Sequence, residues 1–189
     1  MDFKLAKIWI SVIILIVFAS CSSVKGNKKP SGEAIMYGMV YNEENTPVSN
    51  AEVFIDGKTT TFTDTQGRFM FISKQRDDFN LTLVKAGYET VNETFRFEPM
   101  DVIHIVMVNA DQLLNQAELS MAEGRYHDVL DFCDRALALN SERIDASYLK
   151  ALSLIHLREF ELARIILEEL RKTSGERDYI RNVLDKLPK

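Results

Sequence analysis

The sequence predicts a chain of two unlike domains, a seven-stranded antiparallel β-sandwich followed by a short array of helices. Between residues 34 and 108, apolar residues alternate with polar ones at a period of two, which is typical of strands. After Asn109 the apolar period becomes helical, and residues 113–140 superpose on residues 147–174 at a shift of 34. The two periods therefore divide the folded chain into a β half and an α half.

The start of the chain has the order of an export signal. Lys4 and Lys7 precede an uncharged run that extends from Ile8 to Ala19. A helix of that length spans only about 18 Å, whereas the hydrocarbon core of a bilayer is roughly 30 Å thick. We therefore favour a cleaved signal peptide over the alternative, an uncleaved membrane anchor.

The string FASC at residues 18–21 resembles the lipobox of bacterial lipoproteins, in which an aliphatic residue and two small residues precede a cysteine. Phe18 replaces the usual aliphatic residue. The resemblance implies that residues 1–20 are removed and that Cys21 is acylated, which would hold the chain on a lipid bilayer. Ser22 is not the aspartate that keeps some lipoproteins in the inner membrane, so we expect an outer-membrane location facing the periplasm.

Composition limits the remaining possibilities. Without residues 1–20 the chain has 21 basic and 27 acidic residues, a net charge of −6, which gives no basic field for nucleic acid. Residues 21–33 are polar and contain two glycines and one proline, which is typical of a flexible tether. If Cys21 is acylated, Cys133 has no intramolecular partner, so no disulfide is expected. Its place in a helical apolar stripe favours a small core residue.

The strands of the β half are marked by alternating apolar residues and separated by turn-forming residues. The alternating sets are Ile35, Tyr37, Met39 and Tyr41; Ala51, Val53 and Ile55; Phe69 and Phe71; Phe79, Leu81 and Leu83; and Phe95 and Phe97. Residues 59–63 are rich in β-branched residues, and residues 102–108 form a final apolar strand. Turn signals lie at residues 42–47, 56–57 and 64–67. We assign residues 34–109 to this domain.

Four short strings in this domain resemble the carboxypeptidase regulatory-like domain, a transthyretin-type β-sandwich. They are GMV at residues 38–40, PVSNAEV at 47–53, TDTQGRF at 63–69 and KAGYE at 85–89. Ala51 is expected to face inward, and Gly67 and Gly87 to permit tight turns. The resemblance implies a folding or docking module without catalysis of its own.

The helical half, residues 110–189, resembles two tetratricopeptide repeats followed by a capping helix, because that family repeats at a period of about 34 residues. At this shift Ala117 matches Ala151, and Tyr126 matches Phe160. Ser141 stands where the family usually has proline. The amphipathic segment from residue 177 to 187 is the expected cap. Two repeats form a short array, so we expect the helices to lean on the sandwich, a second copy or a partner.

The sequence offers little that could carry catalysis. His104, His127 and His156 lie in three different predicted elements. His156 and Glu159 have the H-x-x-E spacing of carboxypeptidase zinc ligands, but no later histidine supplies a third protein ligand. There is no nucleophile elbow or phosphate loop. We expect no enzyme activity and no cofactor or metal; a metal-dependent hydrolase remains a rival interpretation.

By resemblance to tetratricopeptide proteins, the partner-binding groove follows the inner face of the first helix of each repeat. We call these nine positions the predicted groove: Leu114, Glu118, Met121, Ala122, Asp145, Tyr148, Leu152, Ile155 and His156. The surface is more apolar than a solvated groove, so it is expected to be covered. A peptide or protein partner and a covering element of the protein itself, such as the capping helix, the sandwich or a second copy, remain open as alternatives.

The expected function is a membrane-anchored, non-catalytic interaction or scaffold protein of the cell envelope, held by acylated Cys21, with a protein or peptide partner and a possible homo-oligomer. The alternative is a glycan- or cell-wall-binding lipoprotein that would use the sandwich aromatics, although their alternation favours core packing.

Overall fold

Seven strands precede five helices in the part of the chain that the computed structural model describes, residues 33–73, 77–96, 98, 101–175 and 177–188. The expected signal peptide, Cys21 and nearly all of the expected tether lie outside the described residues. The strands are β1 Ala34–Tyr41, β2 Glu52–Ile55, β3 Lys58–Phe62, β4 Arg68–Ser73, β5 Phe79–Val84, β6 Val91–Phe95 and β7 Val102–Val106.

The strands form two sheets that share one core. One sheet has three strands in the order β4-β1-β7, and the other has four in the order β3-β2-β5-β6. Both sheets bury alternate side chains, as the period of two predicts. The buried core residues of the strands are Met36, Val40, Val53, Phe69, Phe71, Phe79, Leu81, Leu83, Ile103 and Ile105. Ala51, expected to face inward, is fully buried beside them.

The buried face of β1 is the opposite of the alternating set seen in the sequence. Ile35 and Tyr37 are each 48% exposed, whereas Met36 and Val40 are buried. Both faces of this strand are apolar, so alternation alone could not select the inner one. Gly38 decides it, because a Cβ at this position would lie 2.1 Å from the ring of Phe69 on the neighbouring strand.

One strand pair departs from the expected antiparallel arrangement. β1 pairs with β7 in parallel, with Gly38 opposite Ile103 and Val40 opposite Ile105. Parallel neighbours need a crossover connection, and here the five intervening strands provide it. Hydrophobic alternation does not encode the direction of pairing, so the prediction was wrong at this pair. The first and last strands of the sandwich consequently lie side by side.

The turn predicted at residues 64–67 is present and depends on two residues. Gly67 has a φ of 73°, and a Cβ there would lie 2.3 Å from the carbonyl oxygen of Val40. The Asp64 carboxylate accepts hydrogen bonds from the backbone N–H groups of Gln66 and Arg68, at 2.8 and 2.9 Å. The Arg68 backbone bond is the main reason why the pKa of Asp64 is lowered.

The sandwich continues into the helices without a linker. The helices are α1 Ala110–Ala122, α2 Tyr126–Leu139, α3 Ile144–His156, α4 Phe160–Ser174 and α5 Asp178–Lys186. Asn109 caps α1: its side chain accepts from the N–H of Gln112, and the Gln112 side chain accepts from the N–H of Asn109. Asn109 also forms an isolated β-bridge with Tyr88 of the sandwich. The cap therefore fixes the direction in which the first helix leaves the sheet.

A second contact ties the sandwich to α2. The guanidinium of Arg135 donates to both carboxylate oxygens of Glu89, at 2.8 and 2.7 Å. These hydrogen bonds are the largest cause of the lowered pKa of Glu89. The expectation that the helices lean on the sandwich is met at this contact.

The four longer helices repeat at a fixed interval. Ala110 begins α1 and Ile144 begins α3, while Tyr126 begins α2 and Phe160 begins α4, so both pairs of helix starts are separated by the shift seen in the sequence. Six residue pairs at this spacing in the four helices have both members buried: Gln112 and Ala146, Ala117 and Ala151, Ser120 and Leu154, Val129 and Ala163, Cys133 and Leu167, and Ala136 and Leu170. The interval therefore corresponds to two helical hairpins of similar packing.

The last helix packs on the second hairpin. Ile180 is fully buried and Leu187 is 8% exposed, in a cluster with Ala151, Leu167 and Leu170. The apolar stripe that predicts an amphipathic segment over residues 177–187 is therefore the packed face of α5. Tyr148 and Ile155, two residues of the predicted groove, pack against the same cluster. α5 consequently covers part of the predicted groove, at Tyr148.

The short turns inside the two hairpins adopt the same backbone conformation with different residues. Gly124 has a φ of 73°, and Arg158, at the equivalent position of the second hairpin, has a φ of 65°. The left-handed conformation costs a residue with a side chain roughly 1–2 kcal/mol, and glycine avoids this cost. Arg158 is therefore a strained position that the second hairpin tolerates.

We predict that Arg158→Gly raises the free energy of unfolding by roughly 0.5–1 kcal/mol, because relief of the left-handed strain exceeds the extra entropy that glycine loses on folding. Urea unfolding followed by circular dichroism measures the change. Arg158→Ala is the matched control, since it removes the same side chain but keeps Cβ and the strain. An equal gain in both variants would contradict the backbone explanation.

We also predict that Glu89→Gln lowers the free energy of unfolding by about 1 kcal/mol at pH 7, because it removes the ion pair with Arg135. The folded-state pKa of Glu89 lies below the ordinary glutamate value, so this stability is present above about pH 4.3 and is lost as the pH falls through the folded pKa. Unfolding curves of the wild type and the variant should therefore converge at acidic pH. Exposed Glu118→Gln is the control, and a pH-independent difference for Glu89→Gln would rule out the linkage.

Candidate functional site

The ionisable residues that could support chemistry are dispersed. The Tyr41 hydroxyl lies 2.8 Å from Nδ1 of His104, on the outer side of β1 and β7. His156 stacks on Tyr126, with ring centroids 4.4 Å apart and planes at 6°. Within the described ranges, no group of three His, Cys, Asp or Glu side chains is placed to hold a metal ion. Glu159, the second residue of the H-x-x-E string, lies in the turn between α3 and α4.

The aromatic residues of the sandwich are mainly core residues. Phe69, Phe71 and Phe79 are each at most 5% exposed. Phe71 and Phe79 meet edge to face with centroids 5.3 Å apart. Phe95 is half-buried, and the side chain of Phe97 lies outside the described residues. The three buried rings cannot offer a face on which a sugar could stack.

The residues of the predicted groove differ in how far they are exposed. Leu114 is buried with Leu113, Ala136 and Ala146. Met121 is half-buried beside Ala117, Val129 and Cys133. Glu118 and Ala122 are exposed, Leu152 is half-buried, and His156 is exposed against Tyr126. The structure brings Asp145 and Tyr148 together at one open site, described next.

Two adjoining pockets surround the beginning of α3. The α3–α4 pocket, of about 440 Å³, lies between the start of α3 and the end of α4. The α3–α5 pocket, of about 700 Å³, lies between the start of α3 and the start of α5. Both share Glu142, Arg143 and Ile144. The α3–α4 pocket is completed by Ser141, Ser147, Ile166, Glu169, Leu170 and Thr173, and the α3–α5 pocket by Asp145, Tyr148, Arg177 and Tyr179.

Arg143 organises the polar side of both pockets. Its guanidinium donates to both carboxylate oxygens of Asp145, at 3.0 and 2.7 Å, and to Asp111 in the first turn of α1, at 2.6 Å. The hydrogen bonds to Asp145 and then to Asp111 are the main causes of its raised pKa. Arg143 therefore links the starts of the two hairpins and remains charged.

Asp145 is held by the same network. Its bond with Arg143 is the largest reason for its lowered pKa, and the backbone N–H of Ala146 also donates to its Oδ1 at 2.9 Å. A carboxylate in the first turn of α3 also complements the helix dipole. Asp145 is consequently an anion at neutral pH with much of its hydrogen-bonding capacity satisfied.

Two tyrosines form the aromatic wall of the α3–α5 pocket. The rings of Tyr148 and Tyr179 meet edge to face, with centroids 4.9 Å apart and an interplanar angle of 80°. Partial burial, and then the neighbouring Tyr179, raises the pKa of Tyr148. Tyr179 is 39% exposed, and Nη1 of Arg177 lies 3.3 Å from its hydroxyl. The ring of Tyr179 is thus available at the mouth of the pocket.

Sequence reasoning missed Arg143, Arg177 and Tyr179. Tyr179 and Arg177 precede the apolar stripe of α5 that begins at Ile180, so the segment was considered only as a cap. The sequence did offer one indication: Tyr179 is an aromatic residue directly before the apolar stripe, and it does not belong to that stripe. Arg143 has a local partner in Asp145, two residues away, but its bond with Asp111 joins two helices that are far apart in the sequence, and no local pattern reports that bond.

The arrangement suits binding more than bond chemistry. The α3–α5 pocket combines two aromatic rings and Ile144 with charged groups at its edge, which is the composition of a site for an apolar side chain flanked by polar backbone. Among the described residues, no helix is both long and apolar enough to span a membrane.

Cys133 is a core residue, as the sequence predicts. It is fully buried on α2, and burial raises the pKa of its thiol to about 12. A thiol in this state is a poor nucleophile because so little thiolate is present.

We predict that Cys133 in the folded protein does not react with Ellman's reagent at pH 8, and that one thiol reacts when urea is added. The measurement is absorbance over time, made on a chain carrying Cys21→Ser so that only one thiol is present. Rapid reaction without denaturant would show that α2 opens readily or that the thiol is accessible.

Comparison with known proteins supports the sandwich. No curated protein matches the sequence. Among solved structures, a 3-chlorocatechol 1,2-dioxygenase from Rhodococcus opacus 1CP matches with 10% sequence identity and a TM-score of 0.34. The match covers 44% of this chain and 62% of the dioxygenase, less than two thirds of its length, and carries no argument about this protein. Residues 36–119, which contain nearly all of the sandwich and most of α1, match the family model of the CarboxypepD_reg-like domain.

Proposed function

We propose that this protein is a lipid-anchored, non-catalytic interaction protein of the bacterial cell envelope, and that its helices bind a protein or peptide partner. The observation that carries the proposal is the α3–α5 pocket, where Tyr148 and Tyr179 form an aromatic wall beside Asp145. Asp145 and Tyr148 belong to the predicted groove.

The proposed anchor rests on the sequence. An uncharged run preceded by two lysines and followed by small residues and Cys21 is the order of a lipoprotein signal. More than one acyl chain on the N-terminus would give stable attachment to a bilayer, which one chain alone gives only marginally. Outer membrane facing the periplasm is the location we propose.

The proposed partner-binding role rests on the repeat. Two helical hairpins that begin at Ala110 and Ile144 have the spacing of tetratricopeptide repeats, and we propose that they form a short array of this kind with α5 as its cap. Because α5 packs against Tyr148 through Tyr179, an occupant would enter at the edge of the cap, beside Tyr179. The first hairpin contributes Asp111, which holds Arg143 in place.

The sandwich has a supporting role in this proposal. A CarboxypepD_reg-like domain at residues 36–119 joins directly to the helices through the Asn109 cap and the Glu89–Arg135 ion pair. We propose that it supports the first hairpin and, through it, the helical pockets. Binding at a surface then acts through effective concentration and needs no chemical step.

A photo-crosslinking amino acid tests the pocket directly. In the full-length chain, p-benzoylphenylalanine is placed at Tyr179 and, in a separate chain, at Leu162 of α4, which is 51% exposed and lines neither pocket. We predict that irradiation of intact cells gives a discrete adduct from position 179 and none from position 162, as seen on immunoblots.

The mass of the adduct separates the alternatives. An adduct that contains a second protein supports partner binding, whereas one of twice the chain mass would mean that a second copy occupies the pocket. Equal adducts at both positions, or none at position 179, would remove the support for this pocket as the binding site.

A further inference from the structure

The outward surface of the three-stranded sheet is unusually apolar for a solvent-exposed face. We call this surface the outer β face and define it by Ile35, Tyr37, Met70, Ile72 and Val106, which are between 48% and 55% exposed. Isolated exposed apolar residues are ordinary in soluble proteins, but a contiguous group indicates a contact surface.

Strand pairing makes four of these five residues neighbours. Ile35 lies opposite Ile72 and Tyr37 lies opposite Met70 in the β1–β4 pair. Val106 lies opposite Tyr41 in the β1–β7 pair, at the other end of the same face. Side chains directly opposite each other on one face of a sheet are about 5 Å apart at Cβ. The four residues on β1 and β4 therefore form one apolar group, and the row of Arg68, Met39 and His104 separates it from Val106.

The charge on this sheet differs from that of the whole chain. β1, β4 and β7 contain no Asp or Glu, in a protein whose net charge is −5. The outward ionisable side chains are Arg68, which pairs with Asp64 at 2.9 Å, and His104, which lies 2.8 Å from the Tyr41 hydroxyl. An anionic surface would therefore meet no opposing carboxylate within these three strands.

The opposite face of the sandwich provides an internal comparison. The outward residues of the four-stranded sheet include Glu52, Asn80, Thr82 and Thr94. Phe62 and Val84, 54% and 39% exposed, are apolar residues on this face, and Glu52 lies between them. Apolar exposure is thus concentrated on one of the two sheets.

The length of the intervening chain limits how far the start of β1 can lie from the proposed anchor. β1, the central strand of this sheet, begins at Ala34, and only residues 22–33 separate it from Cys21. Thirteen steps of at most about 3.6 Å each limit the separation between Cys21 and Ala34 to roughly 47 Å. A tether of this length gives a surface on the same chain an effective concentration on the order of millimolar at the bilayer.

We propose that the outer β face lies against the lipid bilayer that holds the anchor, with its apolar side chains at the boundary between headgroups and acyl chains. This inference rests on the proposed acylation of Cys21. Tyr37 carries an aromatic ring with a polar hydroxyl, the type of side chain enriched at membrane interfaces. The contact fixes which side of the sandwich faces the membrane.

Site-directed fluorescence tests this orientation on the acylated full chain. Met70→Cys and, separately, Phe62→Cys are labelled with the environment-sensitive dye NBD; the two native residues are 51% and 54% exposed on opposite sheets. Acylation occupies Cys21, and Cys133 is buried with a raised pKa, so the introduced thiol takes the label. The proteins are reconstituted into vesicles of phosphatidylethanolamine and phosphatidylglycerol, with or without nitroxide-labelled lipid.

The expected result is that nitroxide lipid quenches the label at position 70 by about twofold or more, because an interfacial contact lies within roughly 5–10 Å of the headgroup boundary. The label at position 62 should remain unquenched by lipid and accessible to aqueous iodide. Ile72→Cys should behave like Met70→Cys, which guards against a local effect of one substitution.

Three other outcomes overturn the inference in distinguishable ways. Iodide quenching at position 70 on an acylated, vesicle-bound chain would place the face in water and leave the proposed anchor intact. Shielding from iodide without quenching by nitroxide lipid would indicate that protein, such as a second copy, covers the face. A chain mass without acyl groups would show that the anchor itself is wrong, and this inference with it.

Discussion

The close approach of Phe69 to Gly38 determines how the sandwich is built. β1 is apolar on both faces, so either face could be buried. A shift of one residue in its register would exchange the buried face for the exposed one. The Phe69 ring occupies the space in which any side chain at position 38 would lie. That contact places Met36 and Val40 in the core and turns Ile35 and Tyr37 outward. This choice sets which apolar side chains of β1 lie on the outer surface of the sheet.

The helical half depends in turn on where the sandwich ends. Asn109 pairs with Tyr88 across the sheet edge and caps α1 in the same position. Glu89, next to Tyr88, receives the Arg135 guanidinium from α2. Adjacent residues of one segment thereby orient both helices of the first hairpin. Through Asp111 of α1, this order extends to Arg143 and the pockets at the start of α3.

Much of this arrangement could be predicted from residue patterns, and the failures have physical causes. Alternation located the strands, but it could not select the face of β1 or show that β7 pairs with it in parallel. The constant interval of 34 residues between matching positions located the helices. It does so even though Arg158 replaces the glycine of the first turn, because the apolar residues keep the same spacing in both repeats. Two of the nine predicted groove residues, Asp145 and Tyr148, line the α3–α5 pocket. Tyr179 was missed because its role depends on how α5 packs, which no local spacing reports.

The parallel pairing of β1 and β7 has a mechanical consequence. The N-terminal segment enters the sandwich at the start of β1, and the helices leave it at the end of β7. A pull between these two ends draws the neighbouring strands along their axes in opposite directions. The evenly spaced hydrogen bonds of a parallel pair are then loaded together in shear, and do not open one after another like a zipper. The β1–β7 pair, which the sequence analysis did not predict to be parallel, is therefore the pair that bears tension applied between these two ends.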